Sequence, residues 1–348
     1  MKVSIAIGGA ASGSRRDFQD QIEFVVEAEK LGVHAVWTAE AWGQDAIAPL
    51  AYLAARTERI KLGTGIMQIS ARTPSMTAMT ALTMAAISND RFILGLGVSG
   101  PQVVEGLQGR PFRQPLTRMR ETIDIVKLAF AGEKLAYEGK HHQLPLPGGE
   151  GKALRLAQPS NNRIPIYLAT LGPKALEYTG SAADGWLGTS FTPEHADAHL
   201  DFIRSGAASA SRSLEDIDIQ VGGTVAFSDD LDSLVAGLKP GTAFQLGAMG
   251  SAKTNFYNDA YKRGGYEREA SEVQRLWVEG KRDEAIAMVP DRMVIEGNLL
   301  GDEAGVKTRL QAYKDAGVNT IRLGPVGDGI AGRLETLGRA MDLVNALS

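Results

Sequence analysis

The chain has 348 residues, 44% of them hydrophobic and 22% charged, with a formal net charge of −4 and a pI near 5.8. These are globular values; no lysine- and arginine-rich block offers a nucleic-acid footprint, and no apolar run approaches the ~18–20 residues of a membrane helix. There is no cysteine, which excludes disulfides, thiolate chemistry and cysteine-ligated metal and fits a cytoplasmic protein. The opening "MKVSIAIGG" reads as a first β-strand, since its short apolar run falls below the ~7–15 residues of a signal peptide core. Ser14, with Asp17 three residues on, marks a helix start. Phe18, Ile22, Val25 and Val26 recur at helical spacing, and Gly32 stops that helix. "VHAVWTAE" is the second strand. Further strands are predicted at 60–68, 91–98, 164–169, 185–189, 217–227 and 320–324, most of them followed by a helix. The junction "AEKLGVHAVWTAE" returns late in the chain as "YKDAGVNTIRLGP". Apolar runs such as "RFILGLGV" and "IPIYLA" suit parallel strands buried on both faces. Eight such units predict an α/β fold, a (β/α)8 TIM barrel forming one domain over 1–348. Insertions are expected at about 132–163, as a hairpin and loop, and at about 237–300, as a mixed helical segment, both near the C-terminal face.

In such a barrel the active site lies at the C-terminal ends of the strands. There the sequence places Gly8 and Gly9, then Glu40 and Trp42, then Gly65, Ile66 and Gln68. Val98, Ser99 and Gly100 end strand four; Thr170, Leu171, Gly172 and Lys174 end strand five; Thr189 ends strand six; Arg322, Gly324 and Pro325 end strand eight. Only Glu40, Lys174 and Arg322 among these are charged. His34, His141, His142, His195 and His199 fall before a strand, in the hairpin or on a helix, and read as structural or solvent-exposed. No HExxH, serine elbow or carboxylate cluster appears, so hydrolase readings lack support and no metal is expected. "RTP" at 72–74, "LGP" at 171–173 and "FTP" at 191–193 each put Pro at a first helical position, where free N–H groups bind anions. "GLGVSG" at 95–100 matches G-x-G-x-x-G. Three strand–helix units precede it and Pro101 follows, so it reads as a tight turn at the barrel mouth rather than a dinucleotide fingerprint. In "IKLGTGIMQIS", Gly63 and Gly65 sit inside a strand, which marks a backbone that something approaches closely. A smooth mouth, rich in glycine and poor in acids, suits a large flat cofactor carrying its own reactivity.

The stretches "LGTGIMQISARTPSMTAMTALTMAAISNDRFILGLGVSGPQVVEG", "PIYLATLGPKALEYTGSAADGWLGT" and "NFYNDAYKRGGY" resemble the bacterial-luciferase-like superfamily, and within it the branch that uses the deazaflavin coenzyme F420. The resemblance implies a bulge on strand three with a cis peptide between Gly65 and Ile66, backing the face of the cofactor ring. It implies further cofactor contacts at Glu40, Gln68, Val98 and Ser99, and phosphate and tail contacts at Leu171, Gly172, Lys174 and Ala175. Arg110, Arg113, Arg118 and Arg120 either meet the coenzyme's anionic tail or form a solvated helix face. Glu40 is the candidate for proton handling or ring contact, with a hydrogen-bonding scaffold as the other reading, and Trp42 is a candidate wall of the substrate pocket. Three positions depart from the sugar-phosphate dehydrogenases of the branch. Ala41 stands where they carry a histidine proton donor, Gly100 where they carry its acidic partner, and Thr192 where a basic residue grips the substrate phosphate. The implied activity is hydride transfer between coenzyme F420 and a small organic substrate that is not a sugar phosphate, in a homodimer. An FMN-dependent two-component monooxygenase and a non-catalytic flavin-binding barrel are the alternatives.

Overall fold

A computed structural model describes residues 1–8, 13–251 and 253–347; Gly9, expected to end the first strand, lies outside them. Its strands are β1 (Lys2–Gly8), β2 (Ala35–Ala39), β3 (Lys61–Thr64), β4 (Met67–Gln68), β5 (Phe92–Gly97), β6 (Tyr137–Glu138), β7 (Gln143–Leu144), β8 (Ile166–Ala169), β9 (Gly185–Leu187), β10 (Asp218–Phe227), β11 (Leu299–Gly301) and β12 (Thr320–Pro325). β1 pairs with β2, and the parallel ladder continues through β3, β5, β8, β9, β10 and β12 back to β1. This is a closed, eight-stranded parallel barrel with helices around it, as the strand count predicted. The first helix, Arg15–Lys30, opens on Ser14, whose hydroxyl accepts the Asp17 N–H at 3.1 Å.

The strand expected at 60–68 carries the interruption that the resemblance implied: it breaks at Gly65–Ile66, whose peptide is cis, and resumes as β4, which pairs with β5 through Met67↔Leu96 and Gln68↔Gly97. One element differs from the reading of the sequence. β11, too short to stand out in the segment read as a helical insertion, adds to the outer end of β10. The hairpin expected within 132–163 is β6–β7. It is pinned by Glu121, whose carboxylate accepts the N–H groups of Lys140, His141 and His142 at 2.8–2.9 Å.

Side chains alternate across the strands, so the barrel wall has two faces. The outer face (Ile5, Val36, Leu62, Leu94, Leu168, Val221 and Ile321 among others) packs against the helices as the main core. The lumen is divided. On one side Ala35, Trp37, Ile93, Tyr167 and Leu187 form a small apolar cluster. On the other, Ser4 donates to Gln220 at 3.1 Å, and Asp218 accepts from Thr320 at 2.9 Å and from the Tyr167 hydroxyl at 2.8 Å.

At the N-terminal end of the barrel, polar side chains tie loops together. Glu29, buried on the first helix, accepts the N–H groups of Glu58, Arg59 and Ile60 at 2.7–3.3 Å. Burial alone would raise its pKa, but these three donors and the Arg59 charge outweigh that and hold the carboxyl below the ordinary range. A folded-state pKa below the unfolded one stabilises the native state above the unfolded value, about 4.3 for Glu, and that contribution is lost as pH falls through the folded value. Glu29→Gln should therefore cost about 1–2 kcal/mol at pH 7, and the gap to the parent protein should narrow in acid. Urea midpoints of both proteins from pH 7 down to pH 3 measure it. Equal midpoints at pH 7, or a gap that does not narrow, would contradict the assignment.

Candidate active site

At the C-terminal mouth a cleft of about 480 Å³ opens between the ends of β5, β8 and β9, the start of the Pro115–Phe130 helix and the late helical segment. One wall is Ile66, carried by the bulge. Its side chain lies over Gly97: a Cβ there would sit 2.8 Å from Ile66 Cγ1. Val98 continues that wall, and Ser99, at φ +59°, turns the chain toward Pro101. "GLGVSG" is thus strand followed by turn.

The opposite wall is the start of the Pro173–Ala182 helix. Gly172 is its N-cap and supplies no side-chain cap, Pro173 has no N–H, and Leu171, Gly172, Lys174 and Ala175 all line the cleft. A helix N-terminus facing a cavity favours an anion there. The late segment closes the cleft from above with Phe256 and Tyr257. Arg263 fastens that segment by donating to the Leu171 carbonyl at 2.5 Å. Of the other proline-marked starts, "RTP" opens the Pro74–Ile87 helix, with Thr73 accepting the Met76 N–H at 3.3 Å. "FTP" differs from the expectation: it opens a 3₁₀ turn of three residues, Pro193–His195, rather than an α-helix.

Glu40, Gln68 and Trp42 lie elsewhere than the cleft wall. The Glu40 carboxylate accepts the N–H groups of Ala46 at 3.3 Å and Gln68 at 3.1 Å, and pairs with Arg72 at 2.6 Å. Its own N–H donates to the Ile66 carbonyl at 3.0 Å. Gln68 is buried; its amide donates to the Glu40 carbonyl at 2.8 Å and accepts from Gln108. Both residues grip the bulge from behind. Trp42 is about half exposed on the rim. The strand glycines also face inward. A Cβ on Gly63 would fall 2.3 Å from the Trp37 ring, and one on Gly65 would fall 3.1 Å from Trp37 Cβ. The neighbour approaching these two glycines is therefore the buried indole of β2.

A second cavity, of about 380 Å³, adjoins the cleft and shares Val98 and Pro115 with it. Arg72, Arg110, Arg113 and Arg118 line it, beside Thr73 at a helix start. Arg72 is spoken for by Glu40. Arg120 points elsewhere, its guanidinium 4.9 Å from the Tyr178 ring centroid. Three of the four arginines in "GRPFRQPLTRMRE" therefore share one cavity. His142 lines it too, while His199 is buried against Trp186 and Phe191, where burial pushes its pKa down to about 3. Sequence reasoning named none of Leu116, Met119, Phe256 or Tyr257, all on the cleft wall. Phe256 and Tyr257 stand in "NFYNDAYKRGGY", whose clustered aromatics were the available signal.

The family model for luciferase-like monooxygenases matches residues 1–320. A Mycobacterium tuberculosis protein named a putative coenzyme F420-dependent oxidoreductase is 42% identical over 311 residues, covering 87% of this chain and 90% of that one. The F420-dependent glucose-6-phosphate dehydrogenase of Amycolatopsis mediterranei is 26% identical over 334 residues, 91% of each chain. Among solved structures, the coenzyme F420-dependent tetrahydromethanopterin reductase of Methanopyrus kandleri superposes with a TM-score of 0.79 over 97% of both chains at 24% identity, which speaks to the fold.

Proposed function

This chain belongs to the luciferase-like monooxygenase family, and from that premise we propose that it is a coenzyme F420-dependent oxidoreductase acting on a small organic substrate. The observation that carries this reading is the cleft itself: an apolar wall of Ile66 and Val98 on one side and an uncapped helix start at Gly172–Ala175 on the other. A flat ring with a phosphate-bearing tail needs both. The bound deazaflavin supplies hydride chemistry. The protein's own part is to orient and to exclude water. Ile66 and Leu187 back the ring site with apolar surface, and the helix start with Lys174 holds negative charge. The second cavity, with Arg110, Arg113 and Arg118, takes the acidic tail beyond it. Glu40 and Gln68 act through the bulge, fixing where Ile66 stands, and Trp42 borders the entrance. With Ala41, Gly100 and Thr192 in place of the groups that serve a sugar phosphate, the substrate is of another class.

The test is direct titration. Purified protein should quench with coenzyme F420 at an affinity at least about tenfold above that for FMN, the difference of one good ionic contact to the tail. FMN binding in the micromolar range without any response to F420 would replace this reading with a two-component monooxygenase.

A further inference from the structure

A third cavity, of about 360 Å³, lies on the other side of the barrel mouth, enclosed by the ends of β1, β10 and β12 and by the Leu231–Ala248 helix. Small residues are part of its wall: Ala6 from β1, Gly222 from β10 and Gly324 from β12. It meets the cleft at Thr189, which lines both. Arg322 is the one charged residue among the described residues of its wall. Among the described residues its guanidinium has one hydrogen bond, Nη2 to the Gly188 carbonyl at 3.3 Å, and no ion-pair partner. Burial presses its pKa down, and only the nearby hydroxyls of Tyr313 and Tyr257 oppose this.

Buried charges in proteins are otherwise paired or fully hydrogen-bonded, because an uncompensated one is costly. Arg322, within β12, is only partly exposed, on the cavity side; Arg91, buried just before β5, shows the usual solution: its donors meet four carbonyls and a hydroxyl. Arg322 has most of its five N–H donors left for something in the cavity. A planar guanidinium fits a carboxylate with two parallel hydrogen bonds. A neutral ketone or alcohol would leave the charge uncompensated, and a phosphate dianion would exceed the single positive charge on the wall.

We propose that this cavity receives the carboxylate of a small monoanionic substrate, held by Arg322 next to Thr189, where the cavity joins the cleft. The proposal rests on the adjoining cleft being the cofactor site, and it names the substrate class for that reading. Arg322 is then the specificity-determining residue.

A panel of monocarboxylates from acetate to cinnamate, each with its matching primary amide, is titrated calorimetrically into the protein with and without F420. The best-binding acid is expected to exceed its amide by about tenfold or more, as a charge-assisted pair would. That preference should vanish in Arg322→Gln and persist in weakened form in Arg322→Lys, which keeps the charge without the fork. Fluorescence titration of F420 is run on the same samples and should be unchanged by either variant. The proposal is overturned if no acid binds, if acid and amide bind alike, or if Arg322→Gln keeps the preference. Should Arg322→Gln fail to fold, the acid-to-amide ratio in the parent protein and in Arg322→Lys decides. Acid selectivity that depends on Arg322 in a protein that ignores F420 would sink the cofactor reading, and with it the role of the acid as the substrate of F420 chemistry, while showing that Arg322 binds a carboxylate.

Discussion

Arg91→Leu is expected to lower the urea midpoint by the equivalent of about 3–5 kcal/mol, the usual cost of stripping one partner from a buried ionic or polar array. Arg91 opens the segment leading into β5 and is buried. Its Nε donates to Ser88 O at 2.8 Å, Nη1 to Thr57 Oγ1 at 2.9 Å and Ile60 O at 3.0 Å, and Nη2 to Ala54 O at 3.0 Å and Thr57 O at 2.9 Å. One side chain therefore satisfies four main-chain carbonyls, those of Ala54 and Ser88 at the ends of two neighbouring helices and those of Thr57 and Ile60 in the connection leading into β3. Leucine would fill part of the volume and leave those acceptors dry. Lysine would recover some of them, so Arg91→Lys should fall between. A loss of this size is a large share of the ~5–15 kcal/mol that holds a typical domain. The site lies at the end of the barrel opposite the cleft, so the folded fraction should bind cofactor with unchanged affinity. An Arg91→Leu midpoint equal to the parent's would refute the account.

Arg91 also shows what a sequence conceals. It was legible only as the start of an apolar strand, because its partners are main-chain oxygens brought together by the fold. The eight strands were legible because a parallel strand buried on both faces is apolar along its whole length, as Phe92–Gly97 is. β11 was not, since three residues carry no period. The cleft wall at Val98, Ser99, Leu171, Gly172 and Lys174 followed from position, since residues just past a strand end point into the mouth, whereas Ala175 came from the resemblance. Position was insufficient at the bulge. A one-residue change of register turns side chains to the opposite face, and the break at Gly65–Ile66 leaves Ile66 on the cleft wall while Gln68 is buried behind it with Glu40. Glycine spacing raised a sound question, but its answer depends on a neighbouring strand, and nothing local in "LGTGI" says that Trp37 stands opposite.

That geometry makes Gly97, and not Gly65, the position that tests the cleft. Valine at Gly65 would press on Trp37 in the lumen and confound packing with binding. Gly97 faces the cleft wall instead, and a Cβ there would lie 2.8 Å from Ile66 Cγ1 and 2.9 Å from its Cδ1. Those are the outer atoms of a side chain that can turn, and the direction open to it is the cleft. Gly97→Val should thus push Ile66 into the space proposed for the ring. Cofactor affinity should fall about a hundredfold, roughly 2.7 kcal/mol, while the overpacking costs about 1–3 kcal/mol of stability. Gly97→Ala should do the same on a smaller scale. Ile66→Ala alone should weaken binding modestly, by loss of apolar contact. The double variant Gly97→Val with Ile66→Ala should then bind more tightly than Gly97→Val alone, because removing the isoleucine branches vacates what the valine displaced. Such a rescue is a coupling between two touching residues, measurable as a double-mutant cycle on cofactor affinity. Simple additivity, with the double variant weaker than either single one, would show that the ring does not lie against Ile66.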